Sequence, residues 1–205
     1  MVGRLRVIGG QARGRKLYSV PGDITRPITD RAKEALFGIL SDEVRGARVL
    51  DLFAGTGAVG IEALSRGAAW CTFTDRSRAA VRTVRRNLEQ TDLGGKAEVL
   101  RRDAFRFLRR LPDEPYDIVY IAPPQYHGMW RRALEMVDAA PGWLARSGLV
   151  VVQIHPREDE PLTLQHLQET DRRTYGSVQL QFYELREVRD ERADAQDGID
   201  NRGEL

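Results

Sequence analysis

A chain of 205 residues, 41% hydrophobic and 30% charged with a net charge of +2, has the make-up of one ordinary α/β domain with a full apolar core. A single cysteine, Cys71, excludes an intrachain disulfide framework, and with only three scattered histidines no zinc site of the usual ligand spacing can be drawn. No apolar run is long enough to span a bilayer and the first residues lack the apolar core of a secretory leader, so a cytoplasmic location without membrane contact is expected.

Residues 4–20, RLRVIGGQARGRKLYSV, predict two short strands around a turn rich in Gly and Arg, with Leu5, Val7, Leu17 and Val20 apolar. This β-hairpin arm, residues 1–22, is too small to fold alone and must pack on the domain of residues 23–188. Pro21-Gly22-Asp23 marks a turn. Thr29 or Asp30 caps a helix running to about Leu40, with Ala32, Ala35, Leu36 and Ile39 as its apolar positions. From Arg48 onward strand, loop and helix alternate. Strands are predicted at Arg48–Phe53, Ala69–Thr74, Ala97–Leu100, Asp117–Ile121 and Leu149–Ile154, and helices at Val59–Arg66, Ser77–Gln90, Ala104–Arg110 and about Trp130–Ala139. Gln165–Glu169 is a weak helix candidate, and Thr174–Tyr175 with Val178–Glu184 suggests an antiparallel pair at the sheet edge. The tail, residues 189–205, is polar and reads as disordered. The alternation predicts a Rossmann-like α/β fold, a mostly parallel seven-stranded sheet with helices on both faces and an antiparallel edge. Cys71, inside the second strand, reads as a buried structural thiol.

Charge is unevenly placed. Residues 1–37 carry eight Arg or Lys against three Asp or Glu, and residues 184–205 carry eight acidic groups against four Arg. A basic arm is a candidate polyanion contact. Arg82, Arg85 and Arg86, and the cluster over Arg101–Arg110, read as ordinary charged faces.

The strongest motif is Asp51-Leu52-Phe53-Ala54-Gly55-Thr56-Gly57-Ala58-Val59-Gly60, set between a strand and a helix. Gly55 and Gly57 allow a tight turn and close ligand approach, and Gly60 allows the helix to pack on the sheet. A glycine loop by itself serves NAD, FAD or S-adenosylmethionine. Asp51 tips the balance, because a carboxylate there would repel a pyrophosphate but suits the methionine part of S-adenosylmethionine. Asp75, 24 residues on, ends the next strand and suits ribose hydroxyls; Arg76 follows it. Asp103 and Ala104 follow the third strand and suit the adenine, although Asp103 is equally placed to cap a helix. Phe53 and Thr56 complete the candidate cofactor set. Three acidic residues at three successive strand ends converge on the carboxyl edge, where open α/β sheets bind ligands.

The fourth strand runs into Ala122-Pro123-Pro124-Gln125-Tyr126, a stiff double-proline loop. It resembles the Asp/Asn-Pro-Pro-Tyr/Phe loop of amino-methyltransferases, with two departures. Ala122 stands where Asp or Asn is expected, and Gln125 precedes the aromatic Tyr126. Backbone carbonyls of Ala122 and Pro123 and the Gln125 amide remain to orient an amine, and Tyr126 remains for stacking on a flipped base.

Beyond these generic features, Arg6-Val7-Ile8-Gly9-Gly10 with Arg13-Gly14-Arg15-Lys16-Leu17, and Arg26-Pro27-Ile28-Thr29-Asp30-Arg31 followed by Lys33-Glu34 and Leu36-Phe37, form an opening signature. Gly60-Ile61-Glu62-Ala63-Leu64-Ser65-Arg66-Gly67-Ala68, Asn87, Tyr175-Gly176 and Phe182-Tyr183 extend it. From about Arg4 to Leu185 the chain resembles the RsmD-like 16S rRNA guanine-N2 methyltransferases of bacteria. The resemblance implies a class I S-adenosylmethionine-dependent fold and a guanine of small-subunit rRNA as target, within an assembled or partly assembled 30S subunit. It implies phosphate contacts at Arg4, Arg6, Arg13, Arg15 and Lys16, and places Arg26 and Thr29 to Arg31 near cofactor and base. Its competitors are methylation of another amine, such as adenine N6 or a protein glutamine, an RNA-binding or ribosome-assembly relative without turnover, and, more remotely, an NAD(P) enzyme. A monomer is expected.

Overall fold

The computed structural model describes residues 5–21, 28–125 and 127–186. Seven strands form one sheet in the order β3-β2-β1-β4-β5-β7-β6. Strands β1 (Arg48–Asp51), β2 (Trp70–Asp75), β3 (Ala97–Arg101), β4 (Tyr116–Ile121) and β5 (Leu144–Ile154) run parallel. Strand β7 (Val178–Leu185) lies antiparallel between β5 and β6 (Leu167–Tyr175). The alternating pattern predicted this mostly parallel sheet with an antiparallel edge, and the topology is that of class I S-adenosylmethionine-dependent methyltransferases, as the resemblance implied.

Each face of the sheet has its own apolar core. Helices α1 (Asp30–Leu40), α2 (Ala58–Ser65) and α3 (Arg78–Thr91) cover one face over Val49, Phe73, Ile118, Val151 and Phe182. Helices α4 (Ala104–Phe107) and α5 (Met129–Asp138) cover the other over Leu50, Val119, Val150 and Val152, with Trp130 and Trp143 fully buried. The central strands are apolar on both faces because both faces are covered. No helix of the described residues is long and apolar enough to cross a membrane.

Three local expectations need correction. The arm is a hairpin with a single antiparallel bridge, Arg6 to Lys16, and not a pair of strands. Val7, Gly14 and Leu17 N–H groups bond across the hairpin, while the donors near its turn go to α2: Ile8 and Gly9 N–H to the Glu62 carboxylate, Gln11 N–H to the Ser65 carbonyl and Ala12 N–H to Ser65 Oγ. Helix α1 does begin after a Thr29 cap, whose hydroxyl accepts from Ala32 N–H at 3.2 Å. Its inner face, however, is Ala32, Lys33, Leu36, Phe37 and Leu40, with Ala35 half-buried and Ile39 exposed. Lys33 turns the helix that way by pairing with buried Glu62. Finally, the weak helix candidate at Gln165–Glu169 is the entry to β6. Asp138, at the end of α5, accepts from the backbone N–H groups of Gln165, His166 and Leu167, each at 2.8 Å, and draws the segment out straight. Burial pushes the Asp138 carboxyl up, but these three donors outweigh it and hold it below the usual value. The polar tail, residues 189–205, lies outside the described residues, as does Asp23.

Candidate cofactor and substrate site

The loop between β1 and α2 is built from the inside. Gly57 donates to the Ala54 carbonyl at 2.7 Å, and Ala54 donates to the Thr74 carbonyl at 2.9 Å, which ties the turn to β2. Gly55 and Gly57 hold φ of +53° and +75°, a left-handed conformation that costs a side chain but not glycine. A Cβ on Gly60 would fall 2.3 Å from Phe73 and 2.6 Å from Cys71 Sγ, so glycine there sets how closely α2 meets the sheet. Cys71 is fully buried in that contact.

Asp51 closes β1 at 2% exposure. Among the described residues its carboxylate accepts one hydrogen bond, from Gly60 N–H at 3.2 Å. Burial pushes its pKa up to about 7, the Gly60 bond pulling it down and the nearby Asp75 charge adding to the rise. Asp75, half-buried at the end of β2, uses both oxygens on backbone donors: Gly55 N–H at 3.0 Å and Ser77 N–H at 2.7 Å. Arg76 beside it is exposed. Asp103 caps α4 through one oxygen, accepting from Arg106 N–H at 3.0 Å, which leaves the other oxygen free. Ala104 is buried behind it, and Phe53 and Phe105 meet edge to face at 6.1 Å.

The double-proline loop follows β4, next to β1 in the sheet. Ala122 and Pro123 are half-buried, and Pro124 and Gln125 are exposed. Tyr126 lies outside the described residues, as do Arg4 and Arg26. Behind the loop Tyr120 is buried, and its hydroxyl donates to Gln153 Oε1 at 2.5 Å. The sheet order therefore brings Asp103, Asp75, Asp51 and the Ala122–Gln125 loop side by side along one edge. Thr29 is spent as a helix cap, and Arg31, the second residue of α1, is exposed.

Among the basic arm residues, Arg6 pairs with Asp30 at 2.9 Å, while Arg13, Arg15 and Lys16 are exposed. Arg15 reaches the Gln90 carbonyl at 2.8 Å.

Two features escaped the sequence reading. One is the buried pair of Lys33 and Glu62, both at 0% exposure, with Lys33 Nζ 3.2 Å from Glu62 and also donating to the Arg6 carbonyl. Burial pulls the Lys33 ammonium below its usual pKa, against the attraction of Glu62. A Lys and a Glu on the inner stripes of two short helices were the signal. The other is Asn87, known only from the resemblance. Its amide donates to the Tyr18 and Thr56 carbonyls at 3.0 and 2.9 Å and accepts from Tyr18 N–H at 2.7 Å. One side chain thus fastens the arm to the glycine loop.

Comparison with known proteins gives the following. The profile of a family described as conserved hypothetical protein 95 matches residues 5–184. Ribosomal RNA small subunit methyltransferase D of Escherichia coli K12 is 40% identical over 151 residues, 74% of this chain and 75% of that protein. YlbH of Bacillus subtilis, provisionally named an rRNA methyltransferase, is 38% identical over 89% of this chain and 100% of its own. The solved structure of YhhF from Escherichia coli, provisionally named a methyltransferase, superposes with a TM-score of 0.78 at 34% identity, covering 89% of this chain and 98% of that one.

Proposed function

We propose a reaction for a chain that belongs to the conserved hypothetical protein 95 family, the RsmD-like rRNA methyltransferases of bacteria: methyl transfer from S-adenosylmethionine to the exocyclic N2 amine of a guanine in small-subunit (16S) rRNA. The observation that carries this reading is the row of Asp103, Asp75, Asp51 and the double-proline loop along one sheet edge. Four strand ends at the usual spacing cover roughly 15 Å, about the length of an extended nucleoside with an amino-acid arm.

The residues suit that cofactor. Among the described residues Asp51 is a buried carboxylate with one N–H donor and no cation against it, so a ligand ammonium would complete its shell. Asp75 and Asp103 each keep lone pairs beyond the backbone bonds they accept, enough for ribose hydroxyls and for the adenine amine. Phe53, Gly55, Thr56, Gly57, Arg76 and Ala104 would supply the remaining cofactor contacts, with Thr29 and Arg31, at the start of α1, assigned to it as well. When bound, S-adenosylmethionine supplies an electrophilic methyl group on a sulfonium.

The chain's own task is then to hold the guanine amine in line and keep water out. Pro123 and Pro124 stiffen the loop, so that the carbonyls of Ala122 and Pro123 accept from the amine and fix its lone pair. Gln125 offers a further acceptor, and Tyr126 is the aromatic available to stack on the flipped base. No side-chain base stands at Ala122. The amine's proton becomes acidic as the new bond forms and leaves to water afterwards. Arg4, Arg6, Arg13, Arg15, Lys16 and Arg26 would hold phosphates. The protein would act as a monomer in the cytoplasm on a 30S subunit, assembled or nearly so.

Transfer of labelled methyl to unmodified small subunits, followed by digestion to nucleosides, tests the reading. N2-methylguanosine is expected. Label in another nucleoside would overturn the choice of base, and no label with cofactor bound would overturn catalysis.

A further inference from the structure

Helix α3 presents an arginine stripe that the cofactor site does not use. Arg78, Arg82 and Arg85 recur at helical spacing on its exposed face, and Arg86 flanks them. An ordinary charged face interleaves acids with bases. Here Glu89 is the one acidic residue of the helix, and no ion pair among the described residues involves α3. The far end of the molecule is different: Arg131, Arg172 and Arg173 all engage carboxylates.

The stripe is also continuous with both parts of the proposed RNA site. At its C-terminal end the arm lies against it, with Arg15 on the Gln90 carbonyl and the Arg86 guanidinium over the Tyr18 ring at 3.5 Å. At its N-terminal end, Arg76 and Arg78 stand beside Asp75 at the carboxyl edge. A 14-residue helix bridges the two over about 20 Å. The Arg85 guanidinium is steadied by the Val99 carbonyl at 3.2 Å, and Arg86 by its aromatic platform, so part of the ordering cost of binding is already met.

We propose that the exposed face of α3 is a phosphate track that carries an RNA backbone from the basic arm to the cofactor edge, with Arg78, Arg82 and Arg85 as its contacts. The proposal rests on the rRNA reading above, and binding rather than methylation is the readout that separates the two. Guanidinium groups without carboxylate partners are free to release counterions from RNA, which makes the contact salt-dependent and indifferent to sequence.

The test is binding of the full chain to deproteinised 16S rRNA across a salt series, comparing wild type with Arg78→Gln/Arg82→Gln/Arg85→Gln. The expected result is about ten-fold weaker binding near 150 mM salt and a log–log salt slope shallower by about two, because three phosphates are no longer neutralised. S-adenosylmethionine affinity and melting temperature should stay at wild-type values. The Arg→Lys version of the triple variant should restore most of the affinity, since charge alone holds a phosphate. Arg146→Gln, an exposed arginine on β5, should leave the slope unchanged. Wild-type affinity and slope in the triple Gln variant would overturn the track, and so would a wild-type protein that binds no RNA. Binding that behaves as expected while no methyl group is transferred would overturn the proposed reaction and leave the track standing.

Discussion

Asp51, which ends β1 against α2, and Glu62, on α2 itself, are both buried carboxylates, yet their surroundings differ in kind. Glu62 has a complete shell: the Lys33 ammonium, the Arg66 guanidinium and the N–H groups of Ile8 and Gly9. Asp51 has, among the described residues, one N–H and no cation. A carboxylate whose partners all come from the protein is part of the framework, whereas one left short of positive charge at the edge of a sheet is prepared for something that arrives. On the proposed reading, the difference separates architecture from binding site without reference to any relative.

The comparison can be broken first from the Glu62 side. Glu62→Ala strands Lys33 in the core and frees two arm N–H groups, and should cost about 3–5 kcal/mol, the range for breaking a buried pair. Thermal unfolding should show a fall on the order of 10 °C. A variant within a degree or two of wild type would mean that the pair is not holding the arm.

Asp51→Asn should do the reverse in the cofactor-free protein. Because the folded carboxyl titrates near 7 and an unfolded one near 3.8, Asp51 favours folding below pH 3.8 and that contribution drains away as pH rises to about 7. Asn has no such penalty, so its advantage should grow between pH 4 and about 7 and stay constant above, reaching about 5 °C at pH 8. Cofactor binding should show the converse. A ligand cation favours the charged carboxylate, so wild-type affinity should climb with pH and level off above about 7, while Asp51→Asn binds roughly 10–100-fold more weakly with no such climb. Calorimetric titration at pH 5.5 and 8 reads both. A wild-type affinity that does not vary with pH would sink the assignment.

The smallest effect sharpens the scale. Arg131 and Glu135 pair at 2.8 Å on α5 with both side chains about half exposed. Arg131→Gln should change stability by less than about 0.5 kcal/mol, because water already solvates each partner. A larger loss would mean that pair geometry, and not burial, sets the worth of these contacts.

Much of this was legible in the sequence. Strand and helix alternation from Arg48 announced the parallel sheet, and the glycine loop with acids at successive strand ends marked its carboxyl edge. What could not be read was decided by partners distant in the chain. Nothing in the sequence paired Lys33 with Glu62, 29 residues on, and Gln165 to Leu167 looked helical until Asp138 took their N–H groups. The stripe on α3 was visible as letters, but its lack of carboxylate partners is a property of the fold.

The anchoring of the arm has a consequence for the order in which the molecule is made. Ile8 finds its acceptor 54 residues later, at Glu62, and Tyr18 is clasped by Asn87, 69 residues on. The arm has nothing to hold until α2 and α3, which follow it in the chain, have been synthesised, so it is fixed later than its place in the sequence alone would suggest. During that interval its arginines are loose in a milieu crowded with RNA, and docking on α2 and α3 is also the step that gives them a direction.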